Sequence, residues 1–423
     1  MSEPRQNWAR NFTYAAARWH YPKSLEQVQE LVARSRKVKA LGTRHSFNNI
    51  ADTTEDLISL DHFDRVVALD RARRMVTVEA GMRYGQPCHY LHSEGFALHN
   101  LASLPHISII GACATATHGS GEQHGNLATT VSALEIVTAN GEVISLTREH
   151  NGDKFHGAVV GLGGLGVVTK LTLDLLPTFD LRQYVYENLP LAQLENHFDA
   201  IQAGAYSVSL FTNWQDARIN QIWLKQRVDD HATFTPEPEL FGPTLAREDR
   251  HPITGISAIN CTKQMGVVGP WYERLPHFRM DFTPSSGEEL QSEYFVPRAH
   301  ALAAIHAVAQ LREHLAPLLQ ICEVRTIAAD RLWLSPCYQQ ACVALHFTWK
   351  KNWPEVQKLL PQLEARLAPF EARPHWGKLF TLSHERLHAL YKRMPDFQSL
   401  LHAFDPQGKF RNAFLDDYIF ATK

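Results

Sequence analysis

Apolar positions along the first third of the chain switch between helical and strand spacing. Ser24 and Gln27 are spaced as a capping box, and Leu25, Val28, Leu31 and Val32 follow at helical intervals, which predicts a helix there. A strand Val38–Leu41 comes next, then strand-like runs at Leu57–Leu60 and Arg74–Ala80, where Val76, Val78 and Ala80 share one face. A short helix around Tyr84–Ser93 stops at Gly95. Val131–Ala139 and Glu142–Leu146 read as a hairpin, because Asn140-Gly141 suits a type I′ turn. Val167–Leu176 alternates as a strand and ends at Pro177. Between these elements, residues 99–126 carry little pattern, and an irregular stretch that long inside a compact domain is usually functional.

With 423 residues, two domains are expected, and the first boundary falls at about residue 177. Beyond it, strands at Tyr206–Trp214, Gln221–Val228, Cys322–Ile327 and Val343–Trp349 mix with helices near Arg298–Ala316 and Pro354–Ala368. That order predicts an α+β fold, with residues 178–385 forming a second domain on a large antiparallel sheet flanked by helices. The proline-rich run Phe234 to Pro243 reads as a surface excursion. Helices from Ser383 to Phe414, closed by a turn at Asp405–Gly408, make residues 386–423 a C-terminal segment expected to pack back on the first domain.

Composition narrows the partners. The net charge is −2 and no long block of like charges occurs, so nucleic acid and anionic membranes are excluded as expected partners. Met1 to Arg10 carries no apolar signal core, and no apolar run approaches a membrane span. Six scattered cysteines without a Cys-x-x-Cys pair suit a reduced compartment, and a cytoplasmic location is expected. His118 and His124 fit no zinc spacing, so no metal is expected.

The chemistry concentrates in four places. The turn Gly42-Thr43-Arg44-His45-Ser46-Phe47 follows an apolar strand, and Ser103 to Gly121 is similarly rich in small and hydroxylated residues. Such turns let backbone N–H groups converge on anions, and two of them suggest one large phosphate-bearing cofactor, with His45 a contact to its reactive end. Gly161-Leu-Gly163-Gly-Leu-Gly166 matches the dinucleotide pattern in letters only, since a β-branched strand rather than a helix follows it. Glu323 and Arg325 share a face of a strand that is otherwise apolar, and buried charges must be paired or functional. His346 and Thr348 lie on one face of the next strand, and Lys378 ends the run Arg373-Pro-His375-Trp-Gly-Lys378. This set is suited to gripping a polyhydroxylated substrate and lowering the pKa of one hydroxyl.

These motifs resemble the flavin oxidases of the vanillyl-alcohol oxidase type, and within them the alditol-oxidising members, over nearly the whole chain from Asn7-Trp8-Ala9 to Gly408–Phe414. The resemblance implies the two-domain FAD-binding (PCMH-type) fold, with residues 1–177 as the FAD-binding domain. It implies FAD joined covalently through its 8α-methyl group to His45. Gly42, Thr43, Arg44, Ser46, Phe47, Ser103, Ser108, Gly111, Thr115, Ala116, Thr117, His118, Val167, Val168 and His375 are the further cofactor contacts it implies. Ser103, Glu323, Arg325, Thr348 and Lys378 match polyol-binding residues, with Lys378 and Arg325 stabilising the alkoxide and Lys378 accepting the hydroxyl proton if burial lowers its pKa. The implied reaction takes the terminal primary hydroxyl of a polyol such as xylitol or sorbitol to the aldose and O2 to H2O2, in a monomer. Arg44 departs from some relatives, which carry only small residues around this histidine. The rival is an aldonolactone oxidase or dehydrogenase, which shares the histidine turn. Ala102 is expected near the flavin edge that meets oxygen.

Overall fold

The computed structural model describes residues 5–228, 236, 241–282 and 288–420. Most of the proline-rich run Phe234 to Pro243 lies outside them. In the first lobe, Arg18–His20, Asp56–Ser59 and Val38–Leu41 form a parallel three-stranded sheet. Val66–Asp70, Met75–Glu79, Val167–Asp174, Val131–Val137 and Val143–Thr147 form a five-stranded antiparallel sheet, in that order. Helix Leu25–Arg34 starts where Ser24 accepts the Gln27 N–H, and it buries Val28, Leu31 and Val32. The irregular 99–126 stretch contains one short helix, Ile109–Ala114.

The second lobe is built on a nine-stranded sheet in which every pairing is antiparallel. Its central order is Asp180–Pro190, Arg218–Val228, Ser207–Thr212, Leu319–Ile327, Cys342–Lys350 and Glu289–Pro297. Register decides the chemistry here. Phe211 pairs with Glu323, Glu323 with His346, and His346 with Glu293, so one cross-strand row points all four side chains to the same face. The opposite face carries Val208, Leu210, Ile222, Val324, Leu345 and Tyr294, all buried in the main core. Helices Leu191–Ala203, Ala301–Ala309 and Trp353–Leu367 belong to this lobe.

Several elements leave weak marks in the sequence. Helix Arg148–Val159 is polar at its start and kinked at Gly152, whose φ is +49°. Strand Val66–Asp70 lies at a sheet edge and is mostly exposed, so it lacks alternation. In Glu289–Pro297, Glu289, Gln291 and Glu293 interrupt the apolar pattern of a central strand. The tail returns to the first lobe. Val38 N–H donates to Lys409 O at 3.0 Å, and Asn412 Nδ2 reaches the carbonyls of Asn49, Ile50 and Asp52.

Candidate active site

One cavity of about 460 Å³ runs between the lobes. Its walls include the turn 42–47, parts of 102–118, Leu162 and Gly163, the polar sheet face, and His375, Gly377 and Lys378. The turn is shaped by close approach. A Cβ on Gly42 would sit 2.3 Å from Ser108 Oγ, and one on Gly111 would sit 2.6 Å from the same atom. Ser108 N–H donates to Thr43 Oγ1 at 3.0 Å, and the same hydroxyl lies 3.0 Å from His45 Nδ1. Arg44 takes a left-handed φ of +64°, which brings its carbonyl to Trp8 N–H at 2.8 Å. Trp8 in turn stacks on the His45 ring, with centroids 5.3 Å apart.

His45 Nε2 is buried without a hydrogen-bond partner. Burial, then the neighbouring His106 and the arginines 83 and 44, pushes the imidazole down to about 3, so it is neutral. Across the cavity, Gly377 N–H donates to His375 Nδ1 at 3.0 Å, which puts the ring hydrogen on Nε2, 3.2 Å from Thr117 Oγ1. The turn and this segment are fastened together. Phe47 N–H donates to Gly377 O at 2.8 Å, and Asn48 Nδ2 donates to Trp376 O and Lys378 O at 2.9 and 2.8 Å.

The other end of the cavity holds four buried charges. Lys378 Nζ lies 2.6 Å from Glu293 Oε2, while Arg325 Nη2 and His118 Nε2 lie 3.2 and 3.0 Å from Glu293 Oε1. Glu323 Oε1 faces His277 Nε2 at 2.7 Å and Arg325 Nε at 3.5 Å. Burial alone would raise both carboxylates. Lys378 and His118 beside Glu293, and Arg325 and His277 beside Glu323, hold them well below the usual range instead. Burial lowers Lys378, and Glu293 opposes that shift. Two carboxylates against one guanidinium and one ammonium leave the cluster neutral, which is how four charges tolerate burial together. His346 completes it: its Nε2 is buried without a partner, and burial, then Lys378, takes the ring down to about 4.

Most residues singled out in the sequence meet here. Gly42, Thr43, Arg44, His45, Ser46, Phe47, Ser103, Ser108, Gly111, Thr115, Thr117, His118, Glu323, Arg325, Thr348, His375 and Lys378 all line the cavity, as does Ala102. Ala116, Val167 and Val168 do not. Val167 and Val168 open a strand and pair with Val137 and Ile136, and the wall near them is Leu162 and Gly163. Glu293 and His277 are the residues the sequence reading left unassigned, and His346 entered it only as one of the polar set. Glu293 carried the same mark as Glu323, a charge in a run as apolar as Tyr294-Phe295-Val296. Among the described residues, no group of three metal-ligating side chains occurs, and no helix is long and apolar enough to cross a membrane.

The lobes match two family models: the FAD binding domain over residues 16–147, and D-arabinono-1,4-lactone oxidase over residues 284–418. Over the full length, the chain is 47% identical to an alditol oxidase from a Streptomyces species, covering 99% of this chain and all of the relative. The chain belongs to the alditol oxidase family. More distant relatives of this family include L-gulonolactone oxidase from Bos taurus, 27% identical over 97% of both chains. In fold, the chain resembles cholesterol oxidase from Brevibacterium sterolicum, with a TM-score of 0.79 at 15% identity over 98% of this chain and 96% of that one. It is a FAD-dependent oxidase with the two-domain fold of the vanillyl-alcohol oxidase type.

Proposed function

We propose that this protein oxidises the terminal primary hydroxyl of an alditol such as xylitol or sorbitol to the aldose, using FAD attached to His45. The observation that carries the reading is the convergence of Ser103, Glu323, Arg325, Thr348 and Lys378 on the cavity that His45 also lines. The buried, unpartnered His45 Nε2 and the glycine cradle at Gly42 and Gly111 fit a large flavin nucleotide joined to the imidazole. When bound, FAD supplies a hydride acceptor and a route for electrons to O2, yielding H2O2.

The protein's own residues supply the rest. Glu323, Thr348 and Ser103 hold the remaining hydroxyls, so that one carbinol end is presented in a fixed orientation. Lys378 is held against Glu293 as an ammonium, and with Arg325 it stabilises the developing alkoxide in a water-poor site. The hydroxyl proton goes to His346, a neutral imidazole whose Nε2 has no other partner.

The lactone-oxidase match over residues 284–418 favours a second reading, oxidation of an aldonolactone. Steady-state rates with xylitol against gulonolactone decide between them, and the ion-paired Glu323 and Arg325 favour the open-chain polyol. The cofactor is tested by acid precipitation and in-gel fluorescence. Flavin should remain with the wild-type chain and leave His45→Ala; a fluorescent His45→Ala band would overturn the attachment.

A further inference from the structure

Lys225 is a lysine at 1% exposure on the strand Arg218–Val228, and among the described residues no carboxylate pairs with it. A charge buried that deeply needs another use for its hydrogens. Lys225 Nζ donates to the carbonyls of Leu275 and Pro276 and reaches His277 Nδ1 at 3.2 Å. An ammonium has three hydrogens and no acceptor, so this set uses all of them and makes Nδ1 the acceptor. The one hydrogen of neutral His277 is then on Nε2, 2.7 Å from Glu323 Oε1, and the carboxylate accepts it. Phe211 and Trp223 meet the His277 ring edge to face, with centroids 5.4 and 5.2 Å away, which fixes the plane of the imidazole.

We propose that Lys225 and His277 are positioning residues, which orient the carboxylate of Glu323 toward the substrate through a directed chain of hydrogen bonds. Burial lowers Lys225 to about 7. While it is an ammonium it cannot accept, so the chain runs one way and His277 cannot turn its hydrogen away from Glu323. Burial, with the Lys225 charge second, pushes His277 down to about 4 and keeps the ring neutral. The other charged or titratable groups facing this pair are Glu323 and Arg325 for both residues and Cys261 for Lys225. The inference rests on the polyol-binding reading of Glu323. It adds the reason why a lysine without a carboxylate partner and a histidine from an irregular segment are enclosed beside it.

The test uses full-length, flavin-loaded protein as wild type, Lys225→Met, His277→Leu and His277→Gln, with xylitol in steady state and in anaerobic flavin reduction. Lys225→Met and His277→Leu should each raise KM about tenfold or more, the cost of losing a hydrogen bond to a charged group, while the limiting reduction rate stays within about threefold. In Lys225→Met, the acid limb of kcat/KM should move to higher pH, because His277 is released from the lysine's charge. His277→Gln can accept from Lys225 and donate to Glu323, so its KM should return to within about threefold of wild type. If Lys225→Met does not accumulate as a yellow soluble protein, the two His277 variants carry the same comparison. Unchanged KM in the first two variants, or His277→Gln as impaired as His277→Leu, would overturn the inference while the functional reading stands. A wild type whose flavin xylitol and other alditols fail to reduce would overturn both.

Discussion

Glu293 holds the segment that carries Lys378 at two points. Its carboxylate lies 2.6 Å from the lysine ammonium, and its main-chain carbonyl accepts the His375 N–H at 3.0 Å. A single residue of the strand Glu289–Pro297 thereby sets both the direction and the charge of the cation facing the substrate.

Replacing it should therefore disturb catalysis more than folding. In Glu293→Gln, the opposing influence on the buried Lys378 disappears, so its pKa falls further. A reaction that needs the ammonium will then lose rate as pH rises, starting from a lower pH than in wild type. Loss of a positioned charge stabiliser predicts a fall of about a hundredfold in the flavin reduction rate near neutrality, measured by anaerobic stopped flow. An unchanged profile would remove the role given to this pair.

His346 makes a contrasting prediction. Its pKa of about 4 means the base is available throughout the neutral range and is lost as pH falls through that value. His346→Ala should lower kcat by about two to four orders of magnitude and abolish the acid limb of its pH profile. Retention of that limb in the variant would assign it to another group.

Acid should also weaken the fold. His124, His277 and His346 are each pushed to about 4, burial being the largest cause in all three. Between pH 6.5, the ordinary histidine value, and about 4, the unfolded chain binds these protons while the native chain does not. Stability therefore falls as pH is lowered, at about 1.4 kcal/mol per histidine per pH unit. Asp330, raised to about 6 chiefly by burial, acts in the opposite sense over part of that window, as do Asp52 and Glu364, which burial also raises, while burial lowers His45, His99, His118 and His375 alongside the three histidines. Thermal melts at successive pH values should show Tm declining through this interval.

A fourth prediction concerns the tail. Asn412 Nδ2 satisfies three first-lobe carbonyls, and its Oδ1 accepts the Leu415 N–H at 3.1 Å. Asn412→Ala should cost about 2 kcal/mol, read as a lower denaturant midpoint with little change in KM.

Local signals account for what the sequence made legible. The His45 turn follows a strand directly, and its small neighbours announce a backbone cradle. Glu323 and Arg325 stand out because two charges share the face of an apolar strand. The same logic was available for Glu293, but Glu288, Glu289 and Gln291 make the start of its strand look like an exposed edge. Its burial comes from pairing with Cys342–Lys350, some fifty residues further on, which no local window registers. His277 was hidden for a similar reason. It lies in an irregular segment, and its value comes from Lys225, 52 residues earlier. Periodicity shows which face a side chain takes, whereas partnership across the sheet depends on register.

The bonds from Phe47 and Asn48 to the segment 376–378 have an evolutionary consequence. They turn the two halves of the catalytic apparatus into one rigid jig, whose spacing is set when the chain folds rather than at each turnover. Diversification toward new sugars is channelled away from that jig, into cavity-lining positions that bond to neither the turn nor the lysine, where residues can be exchanged without moving the imidazole relative to the ammonium.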